Sequence, residues 1–178
     1  NLVKTLLNYG SAAQEYFKYA SYSLANSYLE ESDKALSASI SSDYNALKIE
    51  DHSDDIEAYS ATVEILTSTT IRVYFVEKNG GSFDGYKAYI NDVAVDDEDI
   101  LTKNGRHYVE ITNINATDLN KEYTVRFEKT EDEVTSYASV TYSVLTYCYS
   151  KQNSQDAALK KFALSLFDYY LAIEDYLR

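Results

Sequence analysis

The chain of 178 residues is long enough to bury one full hydrophobic core, so we expect a single domain over residues 1–178. Its 29 acidic and 16 basic side chains give a formal charge of −13, and no basic stripe offsets that charge. A polyanion would be repelled, so we expect neither nucleic acid nor an anionic membrane surface as a partner. No apolar run reaches the roughly 20 residues that cross a bilayer, so no membrane insertion is expected either.

The sequence shows neither an initiator methionine nor a signal peptide, and we interpret it as a piece of a longer chain. Its single cysteine, Cys148, cannot form an internal disulfide, and its apolar neighbours indicate a packed side chain rather than a nucleophile. Nineteen tyrosines occur together with many Ser, Thr and Asn. Because tyrosine offers a rigid apolar face with a polar tip, this composition is common in secreted proteins that bind glycans or proteins.

An amphipathic helix is predicted over residues 2–17, where apolar side chains recur in steps of three and four. The same pattern returns near the C-terminus with every residue number raised by 160. Two interpretations are open. Either the parent protein repeats a unit of this length, or the two helices merely share the apolar stripe that any amphipathic helix has. The predicted stripes are Leu2, Leu6, Tyr9, Ala13 and Phe17 in the first copy and Phe162, Leu166, Tyr169, Ile173 and Leu177 in the second.

The chain between these helices changes its apolar period. Residues 21–42 mix polar side chains with scattered leucines and complete the segment 1–42 as an irregular arm. Residues 43–56 hold an acidic run without an apolar period, which favours a solvated connection. Residues 57–138 alternate, which is typical of half-buried strands. The inward positions are predicted to be Tyr59, Ala61, Val63, Ile65, Ile71, Val73, Phe75, Tyr86, Ala88, Ile90, Val109, Ile111, Tyr123, Val125 and Phe127.

Six or seven short strands, separated by turn sequences such as Asn79-Gly80 and Asn104-Gly105, favour an antiparallel β-sandwich of the immunoglobulin-like kind. Residues 137–150 suit a strand or a helix, and their helical steps favour a helix. We therefore predict two helices over residues 139–178, the second capped by Ser154. The fold class is α+β, with the N- and C-terminal helices packed together on one face of the sandwich.

Five stretches carry a resemblance to a known family. They are residues 2–17 with their LVK…YG…YF pattern, Ser23-Leu24-Ala25-Asn26, Asp33-Lys34-Ala35-Leu36, residues 108–125 and residues 143–150. Together they resemble a helix-flanked β-sandwich module that recurs in large secreted and surface proteins of anaerobic Gram-positive gut bacteria. The resemblance implies an extracellular location, secreted or attached to the cell surface, and neighbouring domains in the same chain. The chain departs from that module by lacking proline and by its Tyr-rich last helix.

The resemblance also implies a non-catalytic binding or adhesion module. Some such surface proteins resemble host-binding adhesins, so we expect a host protein such as immunoglobulin as the partner. One alternative is a carbohydrate-binding module for plant or mucin glycans, and another is a structural spacer in a repeat array. A protein ligand needs a flat aromatic patch of about 800 Å² per partner. A glycan needs a groove with planar rings and amides, and a spacer needs neither.

Catalysis is not expected. The two histidines, His52 and His107, lie at spacings that fit no nucleophile and base, and no Gly-x-Ser-x-Gly, His-Glu-x-x-His or phosphate-loop motif occurs. An acidic loop gathers hard oxygen ligands of the kind that calcium prefers, but not in the EF-hand order, so a solvated loop is favoured. We expect no metal and no other cofactor. The loop residues are Asp92, Asp96, Asp97, Glu98 and Asp99.

Aromatic side chains are the candidate binding residues. Tyr74, Tyr89 and Tyr108 alternate out of phase with the inward positions, so a ligand or the terminal helices would cover them on the opposite face of their strands. Phe83 lies in a Gly-rich loop without alternating neighbours. It either folds back as a plug of the sandwich or contacts a ligand. Tyr86, at the end of the same loop, completes the set.

Overall fold

The computed structural model describes residues 1–19, 21–65 and 68–178. The chain, predicted as one domain, groups into two compact units that interleave along the sequence. A helical unit comprises Asn1–Asn45, Ala116–Asn120 and Leu145–Arg178, and a β unit comprises Ala46–Asn115 and Lys121–Val144. The α+β class is confirmed, with two antiparallel sheets and helices at both ends of the sequence.

Two antiparallel helices, α1 and α3, form the centre of the helical unit. Helix α1 spans Leu2–Tyr16, the short α2 spans Val144–Lys151 and α3 spans Ala157–Leu177. Tyr9 of α1 stacks on Tyr169 with 5.8 Å between ring centroids, while Lys161 donates to the Glu15 carboxylate at 2.8 Å. The two helices are therefore antiparallel, and the prediction that the terminal helices pack together is confirmed.

The buried face of α1 differs from the predicted stripe. Leu6 is exposed, whereas Asn8, Ser11 and Ala12 are buried. The amide of Asn8 donates to the carbonyl of Asp33 at 2.8 Å, and Asn26 donates to Asn8 Oδ1 at 2.9 Å. The irregular arm thus satisfies the buried amide of Asn8, and hydrogen bonding replaces apolar packing on part of the inner face of the helix.

Helix α3 begins two residues later than predicted. The N-cap is Asp156, whose carboxylate accepts from the backbone N–H groups of Ala158 and Leu159 at 2.9 and 3.2 Å. Ser154, the predicted cap, instead accepts from the N–H of Asp156 at 3.1 Å. The predicted stripe is buried at Phe162, Leu166 and Ile173, but its last member, Leu177, is exposed in the final turn.

In the part of the chain that the structure describes, the β unit contains nine strands in two sheets. The five-stranded sheet has the order β1-β9-β8-β4-β5 and the four-stranded sheet the order β2-β3-β7-β6. Phe75 and Phe127, one from each sheet, meet with 4.9 Å between ring centroids. The two sheets therefore share an apolar core, as a sandwich requires. The strands are β1 (Lys48–His52), β2 (Ile56–Ile65), β3 (Thr69–Glu77), β4 (Lys87–Ile90), β5 (Val93–Ala94), β6 (Leu101–Lys103), β7 (Arg106–Ile111), β8 (Tyr123–Glu131) and β9 (Val134–Tyr142).

Two predictions at the margins of the sandwich are wrong. The segment 43–56, predicted as a solvated connection, contains β1, an edge strand whose residues are mostly exposed. The segment 139–142, predicted as helix, belongs to β9, which lies between β1 and β8. Ala138, Ser139 and Val140 are all buried. Neither a mostly exposed strand nor one buried on both faces shows the alternation from which strands are recognised.

A β-bulge corrects the prediction that Tyr59 faces inward. Ala58 and Ser60 oppose consecutive residues of β3, so Tyr59 is an extra residue without an opposite partner. The bulge shifts the alternation by one position. Ile56 faces the core before it and Ala61 after it, while Tyr59 is 50% exposed.

Candidate functional site

A two-residue turn positions the basic end of the candidate site. Asn104 and Gly105 join β6 to β7 with φ values of 52° and 73°, as a type I′ hairpin requires, so the predicted Asn-Gly turn is confirmed. The turn makes Lys103 and Arg106 direct antiparallel partners. Side chains of such partners point to the same face, so two cations lie together at one end of the four-stranded sheet.

The two tyrosines predicted for the outer face of this sheet lie side by side. Tyr74 on β3 and Tyr108 on β7 are direct cross-strand partners, with 4.8 Å between their ring centroids and 31° between the ring planes. Both rings are half-buried. Their neighbours along the strands, Val73 and Val109, point into the core. The alternation therefore placed this pair on the correct face.

Arg106 reaches across β3 to the bulge residue Tyr59 on β2. Its guanidinium carbon lies 3.7 Å from the centroid of the Tyr59 ring, and Nη2 donates to the Tyr59 hydroxyl at 2.6 Å. A cation over an aromatic face together with a hydrogen bond restricts an otherwise flexible side chain. The bulge is what makes this contact possible, because it turns Tyr59 outward.

Tyr74, Lys103 and Arg106 border a shallow depression of about 260 Å³ on the outer face of the four-stranded sheet. It combines an aromatic ring, two hydroxyls, an amide and two cations. Its volume lies below the range of about 300–1,000 Å³ that holds drug-sized ligands, so the depression suits one small ring rather than an extended molecule. The lining residues are Ser60, Thr62, Tyr74, Lys103, Asn104 and Arg106.

The charges beside the depression are unequally compensated. Arg72, one row further along the sheet, holds Glu64 and Glu110 at 2.6 Å each. Its hydrogen bond to Glu110 raises the pKa of Arg72. Within the described residues, by contrast, no ion pair involves Lys103 or Arg106. Arg72 therefore holds both nearby carboxylates and offsets one of their two charges, so the two cations at the depression outweigh the one negative charge that remains.

The structure does not bring Tyr89 to this site. Tyr89 lies on β4 of the five-stranded sheet, opposite Arg126, whose guanidinium carbon is 5.6 Å from the ring centroid. Arg126 is also paired with Glu128 at 2.9 Å and with Asp92 at 3.3 Å. Tyr89 therefore belongs to a separate surface whose cation is already compensated.

Phe83 and Tyr86 have packing roles. Phe83 stacks on His107 with 4.0 Å between ring centroids and meets the buried Phe127 edge-on at 5.5 Å, which favours the plug interpretation. Tyr86 is buried, and its hydroxyl is hydrogen-bonded with Ser53 at 2.7 Å and with Ser136 at 2.6 Å. We therefore leave both aromatic residues out of the candidate site.

The histidine, the cysteine and the acidic loop singled out in the sequence lie apart from the depression or are packed. His52 packs against Tyr137 with 4.7 Å between ring centroids and 35° between the ring planes, and burial raises the pKa of the Cys148 thiol to about 12. Asp97–Asp99 of the acidic loop form a short 3₁₀ turn. Among the described residues, no group of three or more His, Cys, Asp or Glu side chains is arranged to hold a metal ion. Nor does any described helix combine the length and apolarity needed to cross a membrane.

Five of the six residues that line the depression were not predicted as site residues from the sequence, and neither was the contact of Arg106 with Tyr59. The local signal was Lys103-Asn104-Gly105-Arg106, a hairpin turn with a cation on each side. The Asn-Gly pair predicts the backbone of this turn, and the pairing of the strands then places Lys103 opposite Arg106. Comparisons with protein-family models, with curated proteins and with solved structures give no match to this chain.

Proposed function

We propose that the chain is a non-catalytic carbohydrate-binding module whose ligand lies on the outer face of the four-stranded sheet. The observation that carries this proposal is the depression in which the Tyr74 ring, the Ser60 and Thr62 hydroxyls and the Asn104 amide converge. A sugar ring has an apolar face of C–H groups and a rim of hydroxyls. It therefore needs both an aromatic surface and groups that donate and accept hydrogen bonds.

The size and shape of the depression favour a glycan over a protein at this face. Its volume of about 260 Å³ suits one sugar ring. A protein partner would need about 800 Å² of well-packed contact surface. The adjacent Tyr108 ring, 4.8 Å from that of Tyr74, offers a second aromatic surface for a neighbouring sugar.

We further propose that the module belongs to a secreted or surface-attached bacterial protein, where a plant or mucin glycan would be accessible. The support is the sequence resemblance to such modules and the abundance of tyrosine. A non-catalytic role is supported by the separation of the two histidines, each of which packs against an aromatic ring.

Binding of the full chain to an array of plant and mucin glycans tests this proposal, with Tyr74→Ala and Tyr89→Ala as matched variants. Both residues are half-buried tyrosines on outer sheet faces. Tyr74→Ala should weaken glycan binding by about tenfold or more, because it removes the aromatic surface, while Tyr89→Ala should bind as the parent does. Unfolding followed by circular dichroism would confirm that both variants are folded. No bound glycan, or equal weakening in both variants, would refute the proposal.

A second candidate, binding of a host protein such as immunoglobulin, is favoured by a different surface. In the irregular arm, Tyr22 is fully exposed and Tyr28 is 95% exposed. Exposed tyrosines of this kind are typical interface anchors. If immunoglobulin binds, Tyr22→Ala and Tyr28→Ala should weaken binding while Tyr74→Ala leaves it unchanged. Absence of both glycan and immunoglobulin binding would favour the spacer.

A further inference from the structure

We propose that the ligand of the depression carries a carboxylate, as a glycan containing a uronic or sialic acid does. The acidic sugar lies on the Tyr74 ring, and its carboxylate is held by Lys103 and Arg106. This inference rests on the proposed carbohydrate-binding function of the same face and names the class of sugar that the face prefers.

The first argument is the placement of the two cations. Lys103 and Arg106 are direct cross-strand partners on either side of the turn. Like charges directly opposite one another destabilise an antiparallel pair. In a chain with 29 acidic side chains, a carboxylate near either cation would relieve that repulsion. No carboxylate among the described residues does so, and an anionic ligand would.

The second argument is the preorganisation of Arg106. One of its terminal nitrogens is held by the Tyr59 hydroxyl at 2.6 Å, and its plane is held by the Tyr59 ring at 3.7 Å. A guanidinium has five N–H donors, so several remain for a ligand, and its planar fork matches a carboxylate. Lys103 adds a mobile charge that adjusts to the position of the second oxygen.

The third argument concerns competition and long-range repulsion. Glu64 and Glu110, the carboxylates that share this sheet face, are each held by Arg72 at 2.6 Å. These two carboxylates are therefore not free to form ion pairs with Lys103 or Arg106. The net charge of −13 repels an anion at long range, but that repulsion is screened beyond about 8 Å at physiological salt, whereas direct contacts persist.

The test is isothermal titration of the full chain with matched acidic and uncharged sugars. The probes are galacturonic acid with its methyl ester, and 3′-sialyllactose with its methyl ester, which separate uronic from sialic acids. At least one acid should bind about tenfold or more tightly than its own ester, and raising the salt from about 0.05 M to about 0.5 M should shrink this difference. Lys103→Gln should reduce the acid preference, while Lys87→Gln, an exposed lysine of β4 in the other sheet, should leave it unchanged.

Three outcomes would overturn the inference. Equal affinity for acid and ester, with binding lost in Tyr74→Ala, would refute the carboxylate while leaving the proposed glycan function intact. An acid preference that persists in Lys103→Gln would place the carboxylate elsewhere. A sulfated analogue that binds as tightly as the acid would show general anion binding instead. Failure of these probes together with every glycan of the array would refute the proposed function itself.

Discussion

Truncating Phe83 to alanine tests how the end of the sandwich is closed. The Phe83 ring is half-buried, so folding removes about 100 Å² of its apolar surface from water and thereby stabilises the folded state by about 2.5 kcal/mol. Its stacking on His107, at 4.0 Å between centroids, adds about 0.5 kcal/mol. Phe83→Ala should therefore lower the free energy of unfolding of the β unit by about 3 kcal/mol. Hydrogen exchange at the backbone amides of β8 reports this unit separately and should accelerate by roughly 100-fold.

Val93→Ala is the matched control, because Val93 is 69% exposed in β5 of the same unit. It should change the free energy of unfolding by less than about 0.5 kcal/mol. If Phe83→Ala behaves like this control, the ring does not close the sandwich. If stability is unchanged but glycan binding falls by more than about tenfold, Phe83 is a ligand contact and the plug interpretation is wrong.

Three further predictions concern interior groups. Tyr86→Phe removes a hydroxyl that is hydrogen-bonded with Ser53 and Ser136 and should cost about 1–2 kcal/mol in urea unfolding; an unchanged midpoint would show that the serines find other partners. Asp156→Ala should destabilise α3 by about 1 kcal/mol and Asp156→Asn much less, and equal losses would contradict the capping role. Burial raises the pKa of Cys148 from 9.0 to about 12, so the folded state favours the neutral thiol. The corresponding stability is complete below about pH 9 and is lost as pH rises through about 12, and a thiol reagent at pH 8 should label Cys148 only after unfolding.

The features that local chemistry encodes were predictable from the sequence. The Asn104-Gly105 turn is one, because two consecutive positive φ values are readily adopted by few residue pairs. The outward placement of Tyr74 and Tyr108 is another, because each alternates with valines that need burial. In both cases the residues that determine the structure lie within a few positions of it.

The features that depend on distant partners were not predictable in the same way. β1 is mostly exposed and is a strand because β9 offers it an edge. β9 is buried on both faces between β1 and β8, so its sequence suits a helix as well as a strand. Part of the buried side of α1 follows from the hydrogen bonds of Asn8 to an arm about 20 residues away, although Tyr9 of the predicted stripe does pack on α3.

The net charge of the chain does not predict the local charge of the candidate site. A value of −13 repels a polyanion at long range, but it does not determine the charge at a depression of about 260 Å³. There the balance is set by the side chains within a few ångströms. Arg72 holds two carboxylates on one side, and Lys103 and Arg106 lie without ion pairs, among the described residues, on the other. Local charge pairing, unlike net charge, requires knowledge of strand register.

The bulge in β2 explains why the site was hidden in a regular sequence pattern. Tyr59 stands in an alternating run with Ala61 and Val63, so the pattern assigns it to the core. Pairing with β3 leaves Tyr59 without an opposite residue and turns it outward, where it holds Arg106. Without that displacement Arg106 would lose its aromatic support, and the depression would lose a fixed cation at one end. The departure from alternation is therefore the element that converts a plain sheet face into a candidate binding site, consistent with the tendency of functional sites to lie where local rules are broken.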